Sequence, residues 1–267
     1  MSADSMQRIE AGDLDGAIEA LSASVRQRPG DSNSRAQLAE LLCFAGDLER
    51  ADRMLDLLAE QDASLAVGVA LFRQLLRAEE ARQQFYSSGR VPAFVAVPTE
   101  HDQLYLKALV ALNGGDATDA ARLLEEAEAA RAPLGGKLDG RAFRSLRDLD
   151  DVAASHFDVL TSTGKFYWIP MRLVRRVILQ PPRHRRDLFW RRATMDVEPG
   201  PSGEVFLPTI YSGLDAAARS ALRLGQETDF VGGHGTPVRG RGLRSFLVDD
   251  EVRTILEIAR IEFEPTS

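Results

Sequence analysis

Catalysis and ligand binding need side chains that ionise, attack or coordinate, and this chain offers four groups of them. Asp148, Asp150 and Asp151 are close enough in sequence to serve as paired carboxylates or metal ligands. They could equally cap a helix N-terminus, where negative charge is favoured. Val152, His156, Val159 and Leu160 follow at helical spacing, so capping is the expected role. His101, His156, His184 and His234 share no metal-ligand spacing, and no zinc pattern joins them to the single cysteine. Cys43 sits beside Leu41, Leu42 and Phe44 and is expected to be a buried structural thiol. Gly232-Gly233-His234-Gly235 lacks the Lys and Ser/Thr of a phosphate-binding loop and is expected to be a flexible loop between strands. No catalytic constellation emerges, and no cofactor or metal is expected.

A fifth group could bind rather than react. Arg172, Arg175, Arg176, Arg183, Arg185, Arg186, Arg191 and Arg192 lie close to Trp168, Phe189 and Trp190. Basic and stacking side chains together suit single-stranded nucleic acid. Two other roles compete: pairing with the acidic 148–151 cluster, and docking against an acidic front half.

The elements that position these groups begin with a repeat. Gly12-Asp13-Leu14 recurs as Gly46-Asp47-Leu48, and Gly115-Asp116-Ala117 is a third copy about two periods further on. The interval between the first two copies is that of the tetratricopeptide repeat, a helix-turn-helix unit. Each Gly-Asp is read as the tight turn between two helices, with Gly12, Gly46 and Gly115 as the turn residues. Leu14, Ile18, Leu21 and Val25 then follow at helical spacing, as do Leu48, Ala51, Leu55 and Leu58, and Ala120, Leu123, Leu124 and Ala127. Between the second and third copies a long helix is predicted over 65–85, with the stripe Val69, Phe72, Leu75 and Ala78. A loop with Gly89, Pro92 and Pro98 follows it.

At Ala132-Pro133-Leu134-Gly135-Gly136 the pattern changes, which sets the expected boundary between residues 1–133 and 134–267. Helices are predicted over 148–161, 170–179 and 215–224. Strands are predicted over 204–207, 229–231, 243–248 and 254–263. The expected fold is α+β: an all-α tetratricopeptide-like solenoid, then a smaller α+β domain with a mostly antiparallel sheet. Such a solenoid offers a groove that can hold a peptide or helix.

Composition agrees with a globular, non-secreted protein. Of 267 residues 44% are hydrophobic, enough for a real core. One cysteine fits a reducing compartment. Met1 to Glu10 shows no secretory signal, and no apolar run is long enough for a membrane span, so a cytoplasmic location is expected. Residues 1–133 carry a net charge of −9 and residues 134–267 carry +2, together −7. This asymmetry suggests two units with different surfaces.

One ordered set of motifs remains. Asp139-Gly140 with Phe143 is followed by Asp148 and Asp150, then Tyr167-Trp168-Ile169-Pro170, then Arg186-Asp187-Leu188-Phe189-Trp190, then Leu207-Pro208. In this order the chain resembles the ImpE family (also called SciE or TagJ), accessory proteins of bacterial type VI secretion. Phe166 stands where that family usually has a Tyr, and Ser145 where a Trp is common. The resemblance implies a non-enzymatic adaptor whose partner is the small subunit of the contractile sheath, held by an amphipathic helix. It also implies a structural role for the motif residues. Two alternatives stay open: a nucleic-acid-binding regulator using the arginines at 172–192, and a hydrolase using the carboxylates at 148–151.

Overall fold

The computed structural model of the chain describes residues 3–213 and 217–264. Seven helices come first: α1 (Ala3–Glu10), α2 (Leu14–Gln27), α3 (Ser32–Phe44), α4 (Leu48–Gln61), α5 (Ala66–Ser88), α6 (Glu100–Asn113) and α7 (Ala117–Ala129). The Gly-Asp turns join α1 to α2, α3 to α4 and α6 to α7. Their glycines take left-handed φ of 74°, 77° and 83° at Gly12, Gly46 and Gly115, where a Cβ would be strained. Each glycine closes the helix before it with a paired hydrogen-bond pattern, for example Gly12 N to Ile9 O and Asp13 N to Arg8 O. Each aspartate then opens the next helix, its carboxylate accepting from Gly16 N, Arg50 N or Asp119 N. One dipeptide thus ends one helix and starts another. The predicted long helix is α5, and Val69, Phe72, Leu75 and Ala78 are all buried on it.

Thirteen strands follow among the described residues. They are β1 (Gly136–Leu138), β2 (Arg141–Phe143), β3 (Leu146–Asp148), β4 (His156–Leu160), β5 (Phe166–Pro170), β6 (Val174–Leu179), β7 (Trp190–Val197) and β8 (Ser202–Pro208). After the short α8 (Ser220–Arg223) come β9 (Thr228–Val231), β10 (Arg239–Gly242), β11 (Ser245–Val248), β12 (Glu251–Thr254) and β13 (Arg260–Phe263). Eight of them form one antiparallel sheet in the order β2-β1-β13-β6-β7-β8-β4-β5, and β12-β11-β3 form a second. β9 and β10 make a separate hairpin.

Two predicted helices are strands instead. Residues 148–161 hold the end of β3, a 3-10 turn over Asp151–Ala153, and β4. Every residue of β4 is buried, because helices cover one face of the large sheet and the small sheet covers the other. A strand buried on both faces shows no alternation. Residues 170–179 hold the end of β5, a 3-10 turn and β6. A register shift between Val174 and Arg176 turns both Val174 and Val177 inward. That β-bulge creates a spacing of three that mimics a helix. The predicted strand over 254–263 is really the end of β12, a turn and β13, which belong to different sheets. Of the helix predicted over 215–224, residues 215 and 216 lie outside the described residues, and the helical part is Ser220–Arg223.

The molecule has three layers. Helices pack on one face of the large sheet through Trp168, Trp190, Phe206 and Leu160. The small sheet packs on the other face, with Phe246, Leu146 and Ile255 against Phe157, Val177 and Met195. The helical layer meets the sheet through α3, α5 and α6: Phe44 against Phe189, Phe72 against Trp190, and Tyr105 against Trp168, with ring centroids 5.1, 5.8 and 6.3 Å apart. At α1, Gln226 donates to the Ile9 carbonyl. The face expected to be an open groove for a partner is therefore filled by the chain's own sheet. Apolar surface on both sides gains more from mutual burial than from exposure.

Candidate binding cleft and the buried ion network

Between helices and sheet lies a cluster of buried charge. Asp158 on β4 accepts from Arg82 Nη1 at 3.2 Å, Arg244 Nη2 at 2.5 Å and the Tyr86 hydroxyl at 2.9 Å. Glu79, one helical turn before Arg82, takes two of its N–H groups at 2.9 and 3.0 Å and the Trp190 indole N–H at 3.1 Å. Arg82 also donates to the Ile210 carbonyl. Buried charges persist only when paired and hydrogen-bonded, and here Glu79, Arg82 and Asp158 each have partners from both layers. Burial opposes ionisation of Asp158, but Arg244, Arg82 and Tyr86 outweigh it and hold its carboxyl below the usual range. Sequence reasoning missed Glu79, Arg82, Asp158 and Arg244. A signal existed: Glu79 and Arg82 lie on the apolar stripe of α5, beside Ala78, Ala81 and Phe85.

The 148–151 carboxylates divide their work. Asp148 Oδ1 accepts from Asp150 N and the Tyr211 hydroxyl, both at 2.8 Å, and Asp148 Oδ2 is 3.3 Å from Arg244. Burial pushes its carboxyl up to about 7 despite the nearby Arg244 guanidinium. Asp150 caps the 3-10 turn through Val152 N and grips Arg239 with both oxygens. Asp151 pairs with Arg147. The capping expectation therefore survives only for a 3-10 turn. The expected pairing with arginines 172–192 does not occur, because residues 147, 239 and 244 supply the cations.

Those arginines are spread over several surfaces. Arg172 binds Asp102 with two bonds of 2.7 Å, the docking on an acidic helix that was the competing expectation. Arg175 pairs with Glu198, Arg176 with Asp196 and Arg192 with Glu204. Arg191 donates to the carbonyls of Gln180 and Ile255, and Arg186 lies over the Phe72 ring. Asp102 also receives His156 Nε2 at 3.2 Å. Burial works against the Asp102 carboxylate, but His156, Arg172 and Thr99 hold its carboxyl far below the usual range. Burial lowers His156 in turn, so the ring is neutral. With Nε2–H donating to Asp102, the partnerless Nδ1 is an unprotonated acceptor. The ring stacks on Trp168 with centroids 3.6 Å apart.

The motif residues occupy joints. Asp139 (φ 51°) and Gly140 (φ 86°) make the turn between β1 and β2, and Asp139 Oδ1 accepts from Ala259 N and Arg260 N. Phe143 packs on Phe263. Tyr167 pairs with Val159 across β5 and β4, and Pro170 ends β5 opposite His156. Asp187 Oδ2 gathers the N–H groups of Arg183 and His184. Trp190 starts β7 opposite Pro208. Cys43 is buried, and burial pushes its thiol well up. Gly232 to Gly235 form the connection between β9 and β10. Among the described residues no group of His, Cys, Asp or Glu could hold a metal ion.

A cleft of about 610 Å³ opens between helices and sheet. Its walls are the end of α3, the second half of α5, the 210–213 segment and the β9–β10 hairpin. Arg82 and Glu79 lie at its base, and Arg223, Arg239 and Arg241 line its sides.

An array of Gly-Asp-linked helices closed by its own antiparallel sheet defines a protein of the α+β class. Residues 140–262 match the ImpE protein family, behind a tetratricopeptide-repeat match over residues 8–83. It is 29% identical over 258 residues to the type VI secretion system accessory component TagJ of Pseudomonas aeruginosa, covering 97% of this chain and 90% of that protein. Its fold matches the crystal structure of protein VPA1032 from Vibrio parahaemolyticus with a TM-score of 0.91 over 98% of each chain, at 23% identity. The resemblance read from the motifs holds.

Proposed function

We propose that this protein is a cytoplasmic, non-enzymatic accessory factor of a bacterial type VI secretion system that binds the small subunit of the contractile sheath through an amphipathic helix. The observation that carries this reading is the end-to-end likeness to an accessory component of that system. The repeat region supports a protein partner, since helical arrays of this kind present extended binding surfaces. Because the sheet fills the inner face of the array, the partner helix must dock on an outer surface or in the cleft. Residues 1–133 and 134–267 are the proposed units, and the motif residues are proposed as their structural joints.

Neither alternative draws support from the side-chain geometry. Arginines tied to carboxylates and carbonyls are poorly placed to neutralise phosphates. The carboxylates at 148–151 are occupied by arginines, Tyr211 and backbone N–H groups. The test is co-purification from native cytoplasm at about 0.3 M salt, where phosphate binding is strongly weakened. Recovery of the small sheath subunit is expected. Recovery of nucleic acid without it would overturn the proposal.

A further inference from the structure

We propose that the cleft between α3, α5 and the β9–β10 hairpin binds an acidic, partly apolar segment of a protein partner, with Arg241 as the guanidinium that receives its carboxylate. The inference is independent of which assembly the protein serves.

The hairpin sequence Arg239-Gly240-Arg241-Gly242 builds the site. A Cβ at Gly240 would sit 2.4 Å from the Tyr211 ring, and one at Gly242 would sit 2.1 Å from the Glu227 carbonyl oxygen. One face of β10 must therefore lie bare against the protein. Strand alternation sends Arg239 and Arg241 to the other face, toward the cleft. Val231, the ladder partner of Arg239, lines it too.

Among the described residues, four arginines line the cleft against one carboxylate, Glu79. Both Glu79 oxygens are already engaged by Arg82, and one also by Trp190. Arg82 is held by Glu79 and Asp158, Arg239 by Asp150 and the Tyr86 face, and Arg223 by Asp15. Arg241 is exposed and has no ion-pair partner among the described residues. Asp229 stands opposite it in the ladder but turns its carboxylate to the Phe230 N–H. Among the described residues the cleft therefore offers one exposed, unpaired cation on a rim backed by paired ones. Between them Phe44, Phe189, Ile210 and Val231 supply apolar lining. The opening is a groove rather than a closed chamber, which suits a chain segment better than a small ligand. By contrast, the opening of about 410 Å³ beside Phe72 and Trp190 has two carboxylates, Asp187 and Glu204, in its lining.

The test uses the full chain and short fluorescein-labelled peptides of alternating Glu and Leu, Gln and Leu, or Lys and Leu, read by anisotropy. The Glu peptide is expected to bind, the Gln peptide about tenfold more weakly, and the Lys peptide not at all. Arg241→Glu should weaken the Glu peptide by about tenfold or more, while Arg241→Lys retains most of the affinity. Val231→Asp, which sets a competing carboxylate in the cleft, should weaken it as well. Both Arg241 variants should melt like the wild type, since that side chain is exposed. Equal binding of the three peptides, no binding of the Glu peptide, or an unaffected Arg241→Glu would overturn the proposal. So would a single-stranded oligonucleotide that binds through Arg241 while the Glu peptide does not.

Discussion

Asp148 and Asp158 share Arg244, yet their carboxyls move in opposite directions. Asp158 has two guanidiniums and a hydroxyl, which overcome its burial. Asp148 has only part of Arg244, and burial wins. Two consequences can be measured. Removing Asp158 strands Arg82 and Arg244 without a common anion, so Asp158→Ala should cost about 3–5 kcal/mol in urea unfolding. A loss near zero would show that the network contributes nothing to stability. Asp148 acts in the opposite sense. Its folded value lies above its unfolded 3.8, so the folded state binds the extra proton and stability falls as pH rises from 3.8 to about 7. The slope for one proton is at most about 1.4 kcal/mol per pH unit. Asp148→Asn should flatten that window, leaving the opposite trend of His156, whose lowered value makes stability rise toward pH 6.5. Parallel pH dependences for the two proteins would refute the assignment.

At the scale of elements, the helical half was largely legible because its signals are local. A glycine that must take positive φ and an aspartate that must cap lie side by side, so three turns could be read directly. Gly115→Val should therefore cost about 1–3 kcal/mol, since a β-branched residue is strained at φ 83°. A denaturation curve like that of the wild type would remove Gly115 from the set of required turns. The sheet half was less legible because its signals are long-range. β4 looks helical because both its faces are covered, and β6 because a bulge resets its period. The short strands β1, β2 and β3 of three residues each carry no period at all; β1 and β3 find partners roughly a hundred residues further along the chain, and β2 pairs only with β1. The candidate site suffered for the same reason: Asp158 looked like one acid in a predicted helix, and its arginines come from α5 and from position 244. The aromatic joints were legible from residue type alone. Trp168 is fully buried against His156 and Phe85, so Trp168→Ala should cost about 3–5 kcal/mol and lower the melting temperature strongly. A variant that melts normally but loses its partner would make this joint a recognition surface.

At the scale of the whole molecule, one core runs from the first helices to the late strands. Ile9, Leu42, Phe72 and Leu109 share a single apolar cluster with Trp168, Trp190, Phe206 and Leu224. The repeat array therefore uses for its own folding the face that comparable arrays leave open for partners. A charge network and a row of aromatic contacts cross the same junction. Parts joined through a common core are expected to unfold together, although the composition changes sharply near residue 133. Far-ultraviolet circular dichroism reports mainly on the helices, while Trp168 and Trp190 report on the sheet and the junction. The two signals should show coincident transitions in urea. A fragment ending at residue 133 would expose Phe44, Phe72 and Phe85 to water, and should aggregate or remain partly unfolded. Separate transitions, together with a soluble and well-folded fragment, would mean that the sheet merely rests on the array. The inner face could then open to a partner, and the outer surface and cleft would lose their claim as the docking sites.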